Sequence, residues 1–142
     1  VDISAQAIFA YDLADVLGVS PEEINTMFKE QVFGKPHFIT GAMTTLREWK
    51  YEHGILIFTN RLKYMTLLEL SEWLIKYEIP FTRIDITGAE AYDVHIDDSP
   101  AKLMSSKSKL KLLFDQPWNR NCLNVTKSLK RVYNWEEIRS LI

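Results

Sequence analysis

Apolar residues recur at helical spacing over residues 4–17 (Ala7, Ile8, Tyr11, Ala14, Val16 and Leu17), and Gly18 closes the run, which predicts a first helix. Ser20-Pro21-Glu22-Glu23 opens a second: serine caps, proline suits the first turn, and the glutamate three residues on completes a capping box. That helix carries Ile24, Met27 and Phe28 and frays before Gly34-Lys35-Pro36, so residues 1–36 read as a small helical insertion. From residue 40 the pattern becomes regular. Thr40 is placed to cap a helix with Ala42, Leu46, Trp49 and His53 on its apolar side, ending at Gly54. Ile55-Leu56-Ile57-Phe58 is continuously apolar, as in a strand covered on both faces. A helix over residues 63–78 carries Leu67, Leu70, Leu74 and Tyr77, with Leu68 and Trp73 widening the stripe. Further strands are predicted at 83–87, 93–97 and 111–114, with a helix near 100–108. A short strand at 131–133 leads to a helix capped by Asn134, with Glu137 completing its box. Helices alternating with buried strands predict an α/β fold with a parallel sheet and right-handed crossovers, in a single domain over 1–142 whose core is 37–142.

Composition narrows the classes of function. The chain of 142 residues is 46% hydrophobic and 25% charged, which is ordinary for a globular domain able to bury a core. A net charge of −2 argues against a nucleic-acid binder, which would carry a basic excess. Lysines gather at Lys102, Lys107, Lys109 and Lys111, and again at Lys127, Lys130 and Arg131; a solvated face is the plain reading and an anion site the alternative. The single cysteine, Cys122, excludes an internal disulfide and suits a reducing, cytoplasmic setting. No apolar run approaches the roughly 18 residues of a membrane span, and no signal peptide is visible. His37, His53 and His95 lack metal-ligand spacing.

The candidate chemistry sits at Asp93-Val94-His95-Ile96-Asp97-Asp98-Ser99-Pro100. An alternating strand ends in two carboxylates just before a helix start, the position where ligands bind in open α/β sheets. Two adjacent carboxylates there suit Mg²⁺, a hard cation that shares its shell with phosphate oxygens. A plainer role exists for Asp98 or Ser99, capping the helix opened by Pro100. Thr59 likewise divides between binding an anion and capping the next helix. Trp118, Phe9, Tyr11 and Phe28 could stack a base, although aromatics at helical spacing are more often core.

Four segments, in order, resemble the haloacid-dehalogenase-like phosphohydrolases, in the branch similar to 5′(3′)-deoxyribonucleotidases. They are Ile39-Thr40-Gly41-Ala42 with Leu46, Ile57-Phe58-Thr59-Asn60-Arg61, the Asp93 to Pro100 segment, and Leu113-Phe114-Asp115-Gln116-Pro117-Trp118-Asn119 with Trp135-Glu136-Glu137-Ile138. Tyr11-Asp12-Leu13-Ala14 is similar to the branch's small cap. The resemblance implies a three-layer Rossmannoid parallel sheet with a helical cap insertion. It also implies Mg²⁺-dependent hydrolysis of nucleoside monophosphates through an aspartyl-phosphate. By the same resemblance Thr59 binds a phosphate oxygen, Asn60 and Arg61 contact substrate, and Asp97 and Asp98 ligate the metal.

Two parts of that machinery have no counterpart. The family's first motif, Asp-x-Asp-Gly-Thr, carries the nucleophile and the acid/base; Val1-Asp2-Ile3-Ser4-Ala5 lacks the second Asp and the Gly-Thr. The third-motif lysine is missing from Gly88-Ala89-Glu90-Ala91-Tyr92, and Lys102 and Lys107, beyond the fourth motif, are expected to lie away from the pocket. The nucleophile is therefore unknown, and these residues are expected to form a catalytically deficient relative of the nucleotidases; a non-catalytic module that binds a phosphate, a nucleotide or a protein is the alternative. In this fold the first-motif strand is central. Unpaired buried backbone groups cost about 1–3 kcal/mol each. The slot is therefore expected to be filled by a partner segment or second copy, by the chain's own first residues, or by direct pairing of the flanking strands.

Overall fold

The computed structural model describes residues 18–122 and 128–142. The helix expected over 4–17, with Phe9, Tyr11 and the Val1-Asp2-Ile3 segment, lies outside the described residues, as does the side chain of Phe28. The chain divides into two compact units, one of them Pro21–Gly88 and the other holding Ala89–Ile142.

Within Pro21–Gly88, helix α1 (Pro21–Val32) starts at the proline, whose fixed φ suits a first turn, with Glu22 and Glu23 at the positive end of the dipole. Helix α2 (Ala42–Trp49) corrects one expectation. Its N-cap is Gly41 and not Thr40, at φ 84°, a left-handed conformation that costs glycine nothing. The fully buried Thr45 donates its hydroxyl to the Gly41 carbonyl at 2.7 Å.

Strands β1 (Leu56–Ile57) and β2 (Arg83–Ile84) pair in parallel, Leu56 opposite Arg83 and Ile57 opposite Ile84. They are shorter than the apolar runs suggested. The pairing is extended at its ends by Thr82 N–H to the Ile55 carbonyl (2.7 Å) and Asp85 N–H to the Ile57 carbonyl (2.8 Å).

Helix α3 (Leu67–Lys76) begins later than residue 63, because residues Asn60–Lys63 form a separate 3-10 turn. Thr66 and Glu69 then build a reciprocal capping box: Thr66 Oγ1 accepts from Glu69 N at 3.2 Å and Glu69 Oε2 accepts from Thr66 N at 2.7 Å. Leu70, Trp73 and Leu74 face inward and pack with Met65. Leu67 and Leu68 are exposed, so the buried stripe is narrower than expected.

The second unit carries β3 (Val94–Asp97), β4 (Leu110–Phe114) and β5 (Leu129–Val132), all parallel in the order β3-β4-β5. Helix α4 (Pro100–Ser105) follows β3 and is shorter than the expected 100–108. Successive strand residues point to opposite faces, and Leu112 and Leu113 are both fully buried, so β4 is covered on both sides as a middle strand. Leu103, Leu113 and Leu129 form a core against which Cys122 packs. Helix α5 (Trp135–Leu141) is capped by Asn134, whose Oδ1 accepts from Glu137 N at 2.8 Å. The Glu137 carboxylate reaches one residue further back than a standard box, to Tyr133 N at 2.8 Å.

This is the mixed α/β, parallel-sheet class expected from the pattern. Within the units, β1 has β2 as its ladder partner and β3 has β4.

Candidate functional site

Asp97 is the last residue of β3, and its side chain is only 10% exposed. Its Oδ1 accepts from Ser99 N at 2.8 Å. Its Oδ2 lies 3.5 Å from His95 Nε2 and 3.9 Å from Lys102 Nζ. Burial by itself pushes this carboxyl up. The hydrogen bonds from His95 and Ser99 and the charges of Lys102 and His95 outweigh that and hold it below the usual aspartate value. Asp97 is thus kept ionised. Ser99, the N-cap of α4, accepts from Lys102 N at 3.4 Å, so capping by Ser99 and the carboxylate site coexist.

Lys102 corrects the expectation that it lies away from this pocket. It stands in the first turn of α4, where side chains lean back toward the helix start, and that direction carries its ammonium to the end of β3. His95 is buried, and its ring meets Tyr92 edge-on at 5.4 Å between centroids. Lys107 and Lys109 are exposed, as a solvated face should be, whereas Arg131 is not part of that face.

Beneath Asp98 lies a polar network. Asn119, 2% exposed in the 3-10 turn Pro117–Asn119, donates from Nδ2 to the carbonyls of Asp98 (2.9 Å) and Phe114 (2.8 Å). Arg131 on β5 donates from Nη1 to Asp115 Oδ1 (2.7 Å) and Asn119 Oδ1 (2.8 Å). Its Nη2 donates to the carbonyls of Asn119 (3.0 Å) and Cys122 (2.9 Å). Arg120 Nε reaches Asp115 Oδ2 at 3.2 Å from an exposed position. Nothing local in the sequence announces this network: its longer ties join residues 12 to 21 positions apart, and although Asp98, Arg131 and the Asp115 to Asn119 segment each stand out in the sequence, no pattern links them.

The other candidate residues stand in the Pro21–Gly88 unit. Thr59 caps the Asn60–Lys63 turn, its Oγ1 accepting from Arg61 N at 3.2 Å. A hydroxyl that accepts one bond still has its own proton to donate, so the cap does not exclude an anion contact. Asn60 is exposed. The Arg61 guanidinium lies over the Trp73 ring, 4.1 Å from its centroid, and burial lowers it from its ordinary value. At the adjacent end of β2, Asp85, 3% exposed, folds the following turn by accepting at Oδ1 from Thr87 N (3.0 Å), Gly88 N (3.0 Å) and Thr87 Oγ1 (3.1 Å). An aspartate two residues ahead of Thr-Gly is the signal that would have pointed to that turn.

Among the described residues no group of three or more His, Cys, Asp or Glu side chains comes together. Mg²⁺, however, commonly takes only one or two carboxylates from a protein and completes its shell with phosphate oxygens and water. Ionised Asp97 with adjacent Asp98 fits that donor chemistry.

Comparison with known proteins gives the following. The family described as 5′ nucleotidase, deoxy (pyrimidine), cytosolic type C protein matches residues 3–142. A provisionally named nucleotidase of Halalkalibacterium halodurans is 24% identical over 155 residues, covering 99% of this chain and 78% of its own length. Proteins named 5′(3′)-deoxyribonucleotidase from Bacillus subtilis and from Bacillus phage SPbeta are each 30% identical over 113 residues, which is 75% of this chain and 63% of theirs.

Proposed function

This chain belongs to the 5′ nucleotidase, deoxy (pyrimidine), cytosolic type C family, and from that premise we propose that it carries the phosphate- and metal-binding part of a nucleoside monophosphate phosphohydrolase. The observation that supports this best is Asp97, largely shielded from solvent and held ionised at the end of a parallel strand with Lys102 beside it. Asp97 and Asp98 would hold Mg²⁺, which when bound neutralises phosphoryl oxygens. Lys102 contributes a fixed positive charge at the same carboxylate. Within the Pro21–Gly88 unit, Thr59 has a hydroxyl able to donate to a phosphate oxygen, and Asn60 and Arg61 are the candidates for substrate contact.

The 142 residues contain no Asp-x-Asp-Gly-Thr, and removing a nucleophile costs on the order of 10⁶ in turnover. By themselves these residues therefore bind more than they catalyse. β3 stands at one side of its three-stranded sheet, and a further strand, from the chain's own first residues, a second copy or a partner, would add there. Light scattering on the eluted protein separates a second copy from the other two.

The direct test is phosphate release from deoxynucleoside monophosphates with Mg²⁺, run on the chain and on Asp97→Asn, with binding followed in parallel. Mg²⁺-dependent binding without turnover is the expected result. Robust turnover abolished by Asp97→Asn would overturn the deficiency, and absence of binding would overturn the assignment to these residues.

A further inference from the structure

We propose that Asn119, oriented by Arg131, is a positioning residue that sets the Asp97 carboxylate through a single peptide plane. The functional meaning of this rests on the metal- and phosphate-binding reading of Asp97 and Asp98; the positioning itself rests on geometry. The peptide linking Asp98 to Ser99 is gripped at both ends. Its carbonyl accepts from Asn119 Nδ2 at 2.9 Å, and its N–H donates to Asp97 Oδ1 at 2.8 Å. Rotating that peptide away from Asn119 would therefore withdraw the Ser99 N–H from the carboxylate it orients.

The Asn119 amide has no slack. Nδ2 spends its two protons on the Asp98 and Phe114 carbonyls, and Oδ1 accepts from Arg131 Nη1 (2.8 Å) and Gln116 N (3.2 Å). Arg131 decides which way the amide faces, because only the oxygen can meet a guanidinium, and this leaves the nitrogen toward Asp98. Arg131 is itself fixed by Asp115 and by two carbonyls. The chain of causes runs from a strand β5 arginine, through a buried amide, to the orientation of a carboxylate on β3. Outer partners of this kind tune ligand affinity without touching the ligand.

Asn119→Asp is the discriminating variant. It keeps the shape and an acceptor for Arg131, but it presents oxygen where the Asp98 carbonyl needs a donor. In the variant the Ser99 amide should exchange with solvent on the order of tenfold faster, while the Leu112 and Leu113 amides of β4 keep their protection. Mg²⁺, titrated as the metal alone and with inorganic phosphate, should bind about 10- to 100-fold more weakly. Arg131→Lys, which keeps the charge at Asp115 and loses the fork, should show the same pattern to a smaller degree. A Ser99 amide and an Asp97 carboxyl ¹³C signal identical to those of the unsubstituted chain would overturn the proposal. Should Asn119→Asp also lose β4 protection, the side-chain amide protons of Asn119 in the unsubstituted chain decide: slow exchange supports the proposal, and exchange at the rate of a free amide overturns it. If the unsubstituted chain binds neither Mg²⁺ nor phosphate, the functional reading fails, and the exchange readouts still judge the positioning.

Discussion

Two arginines show how differently the two candidate regions are held. In the Ala89–Ile142 unit, Arg131 is 14% exposed and directs its guanidinium at a carboxylate, an amide oxygen and two backbone carbonyls. In the Pro21–Gly88 unit, the Arg61 guanidinium lies over Trp73, which packs in a cluster with Met65, Leu70 and Leu74. The first region is specified by directional hydrogen bonds, which fail sharply when a partner is lost. In the second, apolar packing and a ring contact, which fall off gradually with shape and volume, stand beside the hydrogen bonds of the Thr59 cap and the Asp85 turn. Orientation of a carboxylate needs the first kind of support, while seating a short turn on a core draws more on packing.

The comparison breaks first at Arg131. Arg131→Met leaves Asp115, Asn119 and two carbonyls short of donors in a site with little water, and should cost about 3–5 kcal/mol by urea unfolding. A cost under about 1 kcal/mol would mean that the network is not a support. Next in size is Gly88→Ala in the other unit. Gly88 sits at φ 66°, and an added Cβ would lie 2.9 Å from Phe58 Cε1, against the ring. Strain plus displacement of Phe58 should cost about 2 kcal/mol in thermal unfolding. Arg61→Met should be milder, about 1 kcal/mol, because methionine keeps much of the apolar contact with Trp73 and gives up the cation–π term. An Arg61 loss as large as that of Arg131 would erase the contrast between the regions.

The smallest effect is one of pH slope. The folded Asp97 carboxyl titrates below its ordinary value, so its contribution to stability is fully present above the ordinary aspartate range. It is lost as pH falls through the lower, folded value. Asp97→Asn should therefore flatten the acid limb of a stability-against-pH curve relative to the unsubstituted chain. An unchanged acid limb would remove Asp97 from the account of acid sensitivity.

Most of the architecture was legible in the pattern of apolar residues, since burial on one face of a helix or both faces of a strand leaves a periodic trace. Leu112-Leu113 is an example, and the helix start at Pro21 was legible from its proline and glutamates instead. The errors have physical causes. Leu62 and Met65 extend the apolar pattern ahead of α3, which hides the cap at Thr66. Gly41 starts α2 by its backbone conformation, with no side-chain signal, and Thr40 beside it attracts the assignment. Leu68 is apolar and exposed, which no periodicity argument excludes. For the candidate site, the placement of Asp97 at a strand end, with Asp98 next, was readable because an alternating pattern ends there before a proline. Lys102 was readable in principle from the backward lean of side chains in a first helical turn. The tie from Asn119 and Arg131 was not, because it is made only when β4 and β5 pair and bring distant residues together.

The most direct test of the central claim is titration of the chain with a deoxynucleoside monophosphate, with and without Mg²⁺, following backbone amide signals by NMR. The expected result is saturable, Mg²⁺-dependent binding that shifts Asp97, Asp98 and Ser99 and disappears in Asp97→Asn. Binding that leaves those three signals in place, or that survives Asp97→Asn unchanged, would contradict the account.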